Sequence, residues 1–159
     1  MKDFSVKRKT ACGILIAFII LTLAFIWGNS VLPMASSAEE SAAVSSFLQR
    51  IVDAIFGEGT FAVSESFIRK AAHFSEFFAL GAEIYLFIIA VKKASLPSYF
   101  CAISVGLFVA VIDEGIQILS QRGAEVKDIF IDYGGYLAAA LLFILIFIIR
   151  RAVKNKKRA

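Results

Sequence analysis

The residues that could do chemistry begin in the short stretch RKAAHFSEF. It contains Arg69, Lys70, the only histidine of the chain, His73, and Glu76. Imidazole and carboxylate groups can act as general bases, and Arg and Lys can hold phosphate or carboxylate anions. At about 100° per residue, one helical face holds four polar groups within about 80° of one another: Arg69, His73, Glu76 and the later Glu83. The stretch therefore predicts a polar stripe on one helix.

A second polar group follows about 40 residues later, in DEGIQILSQRGAEVKDIFIDYGG. Its candidate site residues are Asp113, Glu114, Gln117, Arg122, Asp128 and Asp132. Four-residue spacing places Asp113 with Gln117, and Asp128 with Asp132, on one face of their helices. We expect these stripes to meet the first one inside a helical bundle.

The elements that must position these residues are membrane helices. The chain of 159 residues contains 16 phenylalanines and is 59% hydrophobic. This hydrophobic fraction is well above that of an ordinary soluble domain. Four apolar runs stand out, at residues 11–32, 71–91, 98–119 and 129–149. Each is about 20 residues long, enough to cross a hydrocarbon core of about 30 Å. The sequence therefore predicts an all-α membrane protein, one domain over residues 1–159 with four transmembrane helices.

The positive charges predict the orientation of these helices. Twelve of the 17 Lys and Arg residues fall on one side: Lys2, Lys7, Arg8, Lys9, Lys92, Lys93, Arg150, Arg151, Lys154, Lys156, Lys157 and Arg158. Cytoplasmic loops carry such an excess, so both termini are predicted to be cytoplasmic, with a basic tail over residues 150–159. Both polar groups then lie in the outer half of the membrane. The net charge of +4 indicates topology and affinity for anionic lipid, and no nucleic-acid partner is expected.

The first span and the loop after it each allow two interpretations. A basic start, an apolar run and a candidate cleavage site at residues 36–38 resemble a secretory signal, but the run has membrane-spanning length, so we expect a retained anchor. An amphipathic helix is predicted at about residues 38–56, after the capping-box spacing of Ser37 and Glu40. Its apolar stripe comprises Val44, Phe47, Leu48, Ile51, Val52 and Ile55. This helix could lie on the outer surface of the membrane or cover the mouth of the bundle, or it could simply pack on its own protein.

The polar cluster has a purely structural interpretation as well. A charge held in hydrocarbon costs at least about 2.5 kcal/mol, so these groups should pair with one another or face water. The cluster has five carboxylates: Glu76, Asp113, Glu114, Asp128 and Asp132. Four cations are available to pair with them: Arg69, Lys70, Arg122 and Lys127. Such a network could do no more than fix the register of three helices. Gly134 and Gly135 would let a neighbouring helix approach closely.

The two spaced polar elements resemble the VanZ-like family of bacterial membrane proteins, named after an accessory protein of glycopeptide resistance associated with teicoplanin. The first element reads Arg-Lys-x-x-His-x-x-Glu, and the second Asp-Glu-x-x-Gln, then Arg, then Asp-x-x-x-Asp/Asn-x-x-Gly. The matching positions are Arg69, Lys70, His73, Glu76, Asp113, Glu114, Gln117, Arg122, Asp128, Asp132 and Gly135. Asn29 and Ser30 look like the polar end of the family's first span.

The resemblance covers nearly the whole chain, with two departures. Ile116 stands where the family often has His, and Ser120-Gln121 where it often has Pro-Gly. The resemblance implies a site at the outer face of the bacterial cytoplasmic membrane and a link to teicoplanin tolerance, without making the chain a resistance protein. It implies no established reaction.

Several functions remain open. The favoured hypothesis is binding of an anionic headgroup, from a phospholipid or a lipid-linked cell-wall precursor, by Arg69, Arg122 and Lys70. Glu76, Asp113 and Asp132 are expected to orient these cations. The candidate ligand-binding set is completed by Gln117, Asp128 and Asp132. The alternative is an intramembrane hydrolase or transferase, with its candidate catalytic residues His73, Glu76, Asp113 and Glu114.

Two further functions are less favoured. Transport along His73, Glu76 and Glu83 lacks matching carboxylates in the inner half of the chain. A metal site formed by His73, Glu76 and Asp113 ranks last because the chain has a single histidine, set among basic residues, so no metal and no other cofactor is expected.

Overall fold

A computed structural model describes residues 2–32, 34–91, 96–122 and 125–156, which form five α-helices and no strand. The helices are α1 (Lys2–Val31), α2 (Met34–Phe56), α3 (Glu65–Ala90), α4 (Leu96–Leu119) and α5 (Val126–Lys156). Within these residues, four segments are long and apolar enough to cross a membrane: Val6–Val31, Glu65–Ala90, Pro97–Leu119 and Val126–Ile146. The prediction of an all-α protein with four transmembrane helices is confirmed. Lys92, Lys93, Lys157 and Arg158, on which the predicted orientation partly depends, lie outside the described residues.

The outer surface of the bundle is apolar. Phe18, Leu21, Phe108 and Leu141, from three different helices, are each more than half exposed. Exposed aliphatic and aromatic side chains on long helices are what a hydrocarbon solvent requires. The polar side chains discussed below are therefore turned inward, away from this surface.

Helix α3 lies at the centre of the bundle. It contacts all four other helices, and its most extensive packing is against α5. The core around it contains Ile26 of α1, Phe77, Leu80, Tyr85 and Ile88 of α3, Ala102, Val109 and Ala110 of α4, and Tyr136 and Ala140 of α5. The Tyr136 hydroxyl donates a hydrogen bond to the Ala102 carbonyl at 2.6 Å, which joins α5 to α4. Residues on one face of α3 are thus held against three other spans.

Two glycines let α3 and α5 approach closely. A Cβ at Gly135 would overlap the Phe74 carbonyl oxygen and lie 3.1 Å from the Phe74 Cα. A Cβ at Gly81 would lie 2.8 Å from the Tyr136 carbonyl oxygen. The predicted close approach is therefore found at Gly135. A Cβ at Gly134 would meet only a Phe74 ring carbon, at 4.0 Å. This crossing places the residue before Phe74, His73, next to the first turns of α5.

Helix α2 lies between the first two spans and packs against α3. It begins at Met34, so Ser37 lies within the helix and is not the N-cap that the capping-box spacing suggested. Its buried side includes Ser45, whose hydroxyl donates a hydrogen bond to the Val63 carbonyl at 2.7 Å. Two residues of the apolar stripe are turned the other way: Phe47 and Ile55 are 60% and 66% exposed. The stripe does not pack on the described core.

Candidate functional site

The predicted site residues gather at one end of the bundle, which we call the polar end. It is formed by the last turns of α1 and α4, the first turns of α3 and α5, and the turn between α4 and α5. Five charged or polar residues of the second predicted group are at least nine-tenths buried there: Asp113, Glu114, Gln117, Arg122 and Asp132. The stripes therefore meet inside the bundle, as their spacing indicated.

His73 is the residue at which three helices converge. Its Nδ1 lies 3.9 Å from Asp113 Oδ2 on α4 and 3.7 Å from Asp132 Oδ1 on α5. The His73 side chain is 16% exposed, whereas neither aspartate is accessible. The imidazole therefore has one side toward two buried carboxylates and retains some access to the surroundings.

Helix α1 supplies two hydrogen-bond donors to the site. The Asn29 side-chain amide donates to Glu76 Oε1 at 3.1 Å, and the Ser30 hydroxyl donates to Asp113 Oδ1 at 2.6 Å. Gln117, one turn after Asp113 on α4, donates to its other oxygen at 2.9 Å. Sequence reasoning noticed Asn29 and Ser30 only as a polar end of the first span. Their partners depend on the packing of α1 against α3 and α4, which spacing within one helix does not reveal.

Arg122 reaches the site because the chain turns back at the end of α4. Gln121 adopts the left-handed conformation, with φ 57°, and the Arg122 N–H donates to the Gln117 carbonyl at 3.0 Å. The Arg122 guanidinium donates to the Asn29 backbone carbonyl, and Arg122 as a whole is 6% exposed. Burial, and next the positive charge of Arg69, lower the pKa of Arg122 from its ordinary value. The two guanidinium groups therefore repel each other across the site.

A cavity of about 160 Å³ opens between α1, α2, α3 and this turn. Its polar lining comes from Asn29, Ser41, Arg69, His73, Glu76 and Arg122. Val44, from the apolar stripe of α2, contributes part of the wall. Pockets for drug-sized ligands begin at about 300 Å³, so this cavity suits a headgroup fragment better than a whole small molecule.

Several other residues singled out in the sequence do not line the cavity. Lys70 Nζ pairs with Asp128 Oδ1 at 3.7 Å, with both side chains partly exposed, and neither lines the cavity. Glu114 is 4% exposed and does not line it either. Glu83 accepts a hydrogen bond from the Thr22 hydroxyl at 2.9 Å, deeper in the bundle.

The arrangement is suited to an anion more than to a cation at the cavity itself. Among the side chains that the structure describes, neither Arg69 nor Arg122 has a carboxylate oxygen within 4.0 Å. An anion placed between two arginines gains charge-assisted hydrogen bonds and relieves their mutual repulsion. Nucleophilic catalysis by Ser75 finds no support, because its exposed hydroxyl donates to the Ala71 carbonyl at 2.7 Å.

Fold and site together define a multi-pass helical membrane protein with a buried polar cluster shared by α1, α3, α4 and α5. A family model confirms and narrows this class: the VanZ/LLP1 model matches residues 13–148. The match covers most of the chain, and the protein belongs to the VanZ/LLP1 family. Searches of curated proteins and of solved structures found no match.

Proposed function

We propose that this protein binds the anionic headgroup of a membrane lipid in the cavity at the polar end. The ligand is a phospholipid or a lipid-linked cell-wall precursor, and the shared chemistry is a phosphate or carboxylate group. The observation that carries the proposal is the pair Arg69 and Arg122, which line one small cavity and have no carboxylate oxygen within 4.0 Å among the described side chains. Arg binds both anion classes in bidentate geometry.

Two neighbours support the pair. Arg122 is anchored through its bond to the Asn29 carbonyl, so its guanidinium needs little ordering when a ligand binds. Glu76, whose Oε1 is held by the Asn29 amide, supplies a carboxylate at the edge of the cavity. That carboxylate can accept a hydrogen bond from a hydroxyl or ammonium group of the headgroup.

The cavity size and surroundings fit a lipid. About 160 Å³ accommodates the charged part of the ligand, and the acyl or prenyl chains would remain among the exposed apolar side chains outside. The α2 stripe, including Phe47 and Ile55, would contact the same lipid layer. With both termini cytoplasmic, the polar end lies in the outer leaflet of the bacterial cytoplasmic membrane.

The proposal is tested by lipid binding to the purified protein in nanodiscs, measured by native mass spectrometry in the presence of a chelator. The probes are phosphatidylglycerol, a polyprenyl diphosphate and, as the uncharged comparison, phosphatidylcholine. Arg69→Gln and Arg122→Gln should each weaken anionic-lipid binding about 10- to 100-fold, because a hydrogen bond to a charged group contributes about 1.5–3 kcal/mol. Arg50→Gln, on the exposed side of α2, is the matched control.

A loss of affinity equal in all three variants would contradict the proposal. If no anionic lipid binds the wild-type protein and the two site variants only lower stability, the cluster serves helix packing alone. A glycopeptide phenotype follows from the proposal only for a cell-wall precursor: cells carrying Arg122→Gln should then lose any teicoplanin tolerance that the wild-type protein confers.

One observation favours a second candidate, an intramembrane hydrolase or transferase acting on the bound lipid. His73 lines the cavity, and its Nδ1 lies 3.9 Å from an Asp113 oxygen and 3.7 Å from an Asp132 oxygen. A general base next to carboxylates that orient it would have this arrangement. Release of phosphate from a polyprenyl diphosphate, lost in His73→Gln with lipid binding retained, would establish it. Binding without turnover leaves the headgroup site as the function.

A further inference from the structure

His73, Asp113 and Asp132 bring three potential ligand atoms together beside the cavity. The His73 nitrogen and one carboxylate oxygen from each aspartate all lie within 4.8 Å of one another. The two distances from His73 Nδ1 are 3.9 Å to Asp113 and 3.7 Å to Asp132. The point in the plane of these three atoms that is equidistant from them lies about 2.5 Å or less from each, close to the about 2.0–2.2 Å that Zn²⁺ prefers.

Two residues of this group, His73 and Asp132, have potential ligand atoms that make no hydrogen bond to the described protein. Among the described residues, neither oxygen of Asp132 nor His73 Nδ1 has a hydrogen-bond partner, although all three atoms are buried. Asp132 is fully inaccessible. Buried polar atoms in folded proteins are almost always satisfied, so a fully buried carboxylate without a donor indicates that another group completes its surroundings.

The charges of the group indicate a cation. Asp113 and Asp132 are two fully buried carboxylates, and His73 is the one described basic side chain within 4.0 Å of either. Lys70 is paired with Asp128 and the Arg122 guanidinium is bonded to a backbone carbonyl. A protonated His73 would balance only one of the two carboxylates. A divalent ion bound by a neutral imidazole would balance both.

The first aspartate is also oriented as a metal ligand would be. Asp113 accepts hydrogen bonds from Ser30 on one oxygen and Gln117 on the other, at 2.6 and 2.9 Å. Each carboxylate oxygen can accept a further bond, so these donors fix the carboxylate without closing it. Hydrogen bonds of this kind position the ligands of most protein metal sites.

We propose that His73, Asp113 and Asp132 bind one divalent transition-metal ion, Zn²⁺ or Mn²⁺. An imidazole ligand favours these ions over Mg²⁺ and Ca²⁺, which prefer oxygen alone. The site goes beyond the headgroup function and uses neither arginine. The metal site that the sequence placed last had His73, Glu76 and Asp113 as ligands. The fold instead brings Asp132 of α5 to His73 and Asp113, whereas Glu76 Oε1 accepts its hydrogen bond from Asn29. Since His73 also lines the cavity, the ion lies beside the position proposed for the headgroup.

The test uses full-length protein in nanodiscs made from phosphatidylcholine, stripped with a chelator and dialysed. Mn²⁺ is titrated with electron paramagnetic resonance detection of the free ion, and Zn²⁺ by competition with a chromophoric chelator. We expect one ion per chain. Asp132→Asn and His73→Gln should weaken binding at least about 100-fold, and Gln117→Ala, which keeps all three ligands, about 10-fold. Glu83→Gln, a carboxylate on the same helix outside the group, should bind as the wild type does.

Binding of less than one ion per chain at saturation, or equal affinity of wild type and Asp132→Asn, would overturn the proposal. Gln117→Ala provides the answer if the ligand variants fail to fold in circular dichroism and size-exclusion controls. Failure of this proposal is separable from failure of the headgroup function. Arg122→Gln should lose anionic lipid and keep the ion, whereas chelated wild-type protein should lose the ion and still bind lipid.

Discussion

Replacing Gly135 with alanine should destabilise the protein by forcing α3 and α5 apart. The new methyl group would overlap the Phe74 carbonyl oxygen, and the Phe74 carbonyl carbon and Cα would lie 3.0 and 3.1 Å away. These are backbone atoms in the middle of a helix, so neither can move without shifting the helix. Overpacking of this kind costs about 1–3 kcal/mol. Alanine also raises helix propensity by up to about 1 kcal/mol relative to glycine, which would partly hide the effect.

The neighbouring glycine removes this complication. Gly134→Ala has the same change in propensity on the same helix, but its methyl group would meet only a Phe74 ring carbon at 4.0 Å. The difference in the free energy of unfolding between the two variants, measured in mixed micelles by denaturant titration, should therefore be about 1–3 kcal/mol against Gly135→Ala. Equal stabilities would refute the close crossing of α3 and α5, and with it the position of His73.

Three other changes test separate parts of the account. Tyr136→Phe removes a buried hydroxyl that donates to the Ala102 carbonyl of α4, so the free energy of unfolding should fall by about 0.5–1.5 kcal/mol. Lys70→Gln should change it by no more than about 1 kcal/mol, because the pair with Asp128 is partly exposed. In a cysteine-free background, a cysteine replacing Glu58 should react with an impermeant thiol reagent on intact cells, whereas one replacing Asn155 should react only after lysis; the reverse would contradict the proposed orientation.

The spans could be predicted because hydrocarbon solvation acts on each segment by itself. Four runs of apolar residues locate the membrane-spanning parts of α1, α3, α4 and α5. The helices themselves begin before the apolar runs, and α5 extends beyond its run to Lys156. The polar faces were predictable for the same reason: helical periodicity fixes that His73 and Glu76 share a side, whichever helix packs there. The convergence of three stripes then follows from the need to keep charges out of lipid.

Contacts between helices could not be predicted from these signals. The bonds from Asn29 to Glu76 and from Ser30 to Asp113 depend on the register of α1, which its almost uniformly apolar sequence does not specify. Arg122 enters the site because Gln121 adopts a left-handed conformation, which is uncommon outside glycine. Neither feature has a periodic pattern in the sequence.

The α2 helix shows a different limit. A helix is found over the predicted residues, but an amphipathic pattern does not state what its apolar side contacts. In a water-soluble protein the stripe would face the core. Here Phe47 and Ile55 face outward and the more polar side, with Ser45, packs against the protein. In a membrane protein lipid can solvate the apolar face, so the usual inference from polarity to burial is reversed.

One comparison of lipid affinity decides whether Arg69 and Arg122 hold an anionic headgroup. Binding of phosphatidylglycerol and of a polyprenyl diphosphate to chelated protein is measured for wild type, for the Arg69→Gln and Arg122→Gln double variant, and for Arg50→Gln. We expect specific binding of at least one anionic lipid to wild type and to Arg50→Gln, and its loss from the double variant while the fold is retained. Undiminished binding to a folded double variant would show that the anion is held elsewhere and would contradict the proposed site.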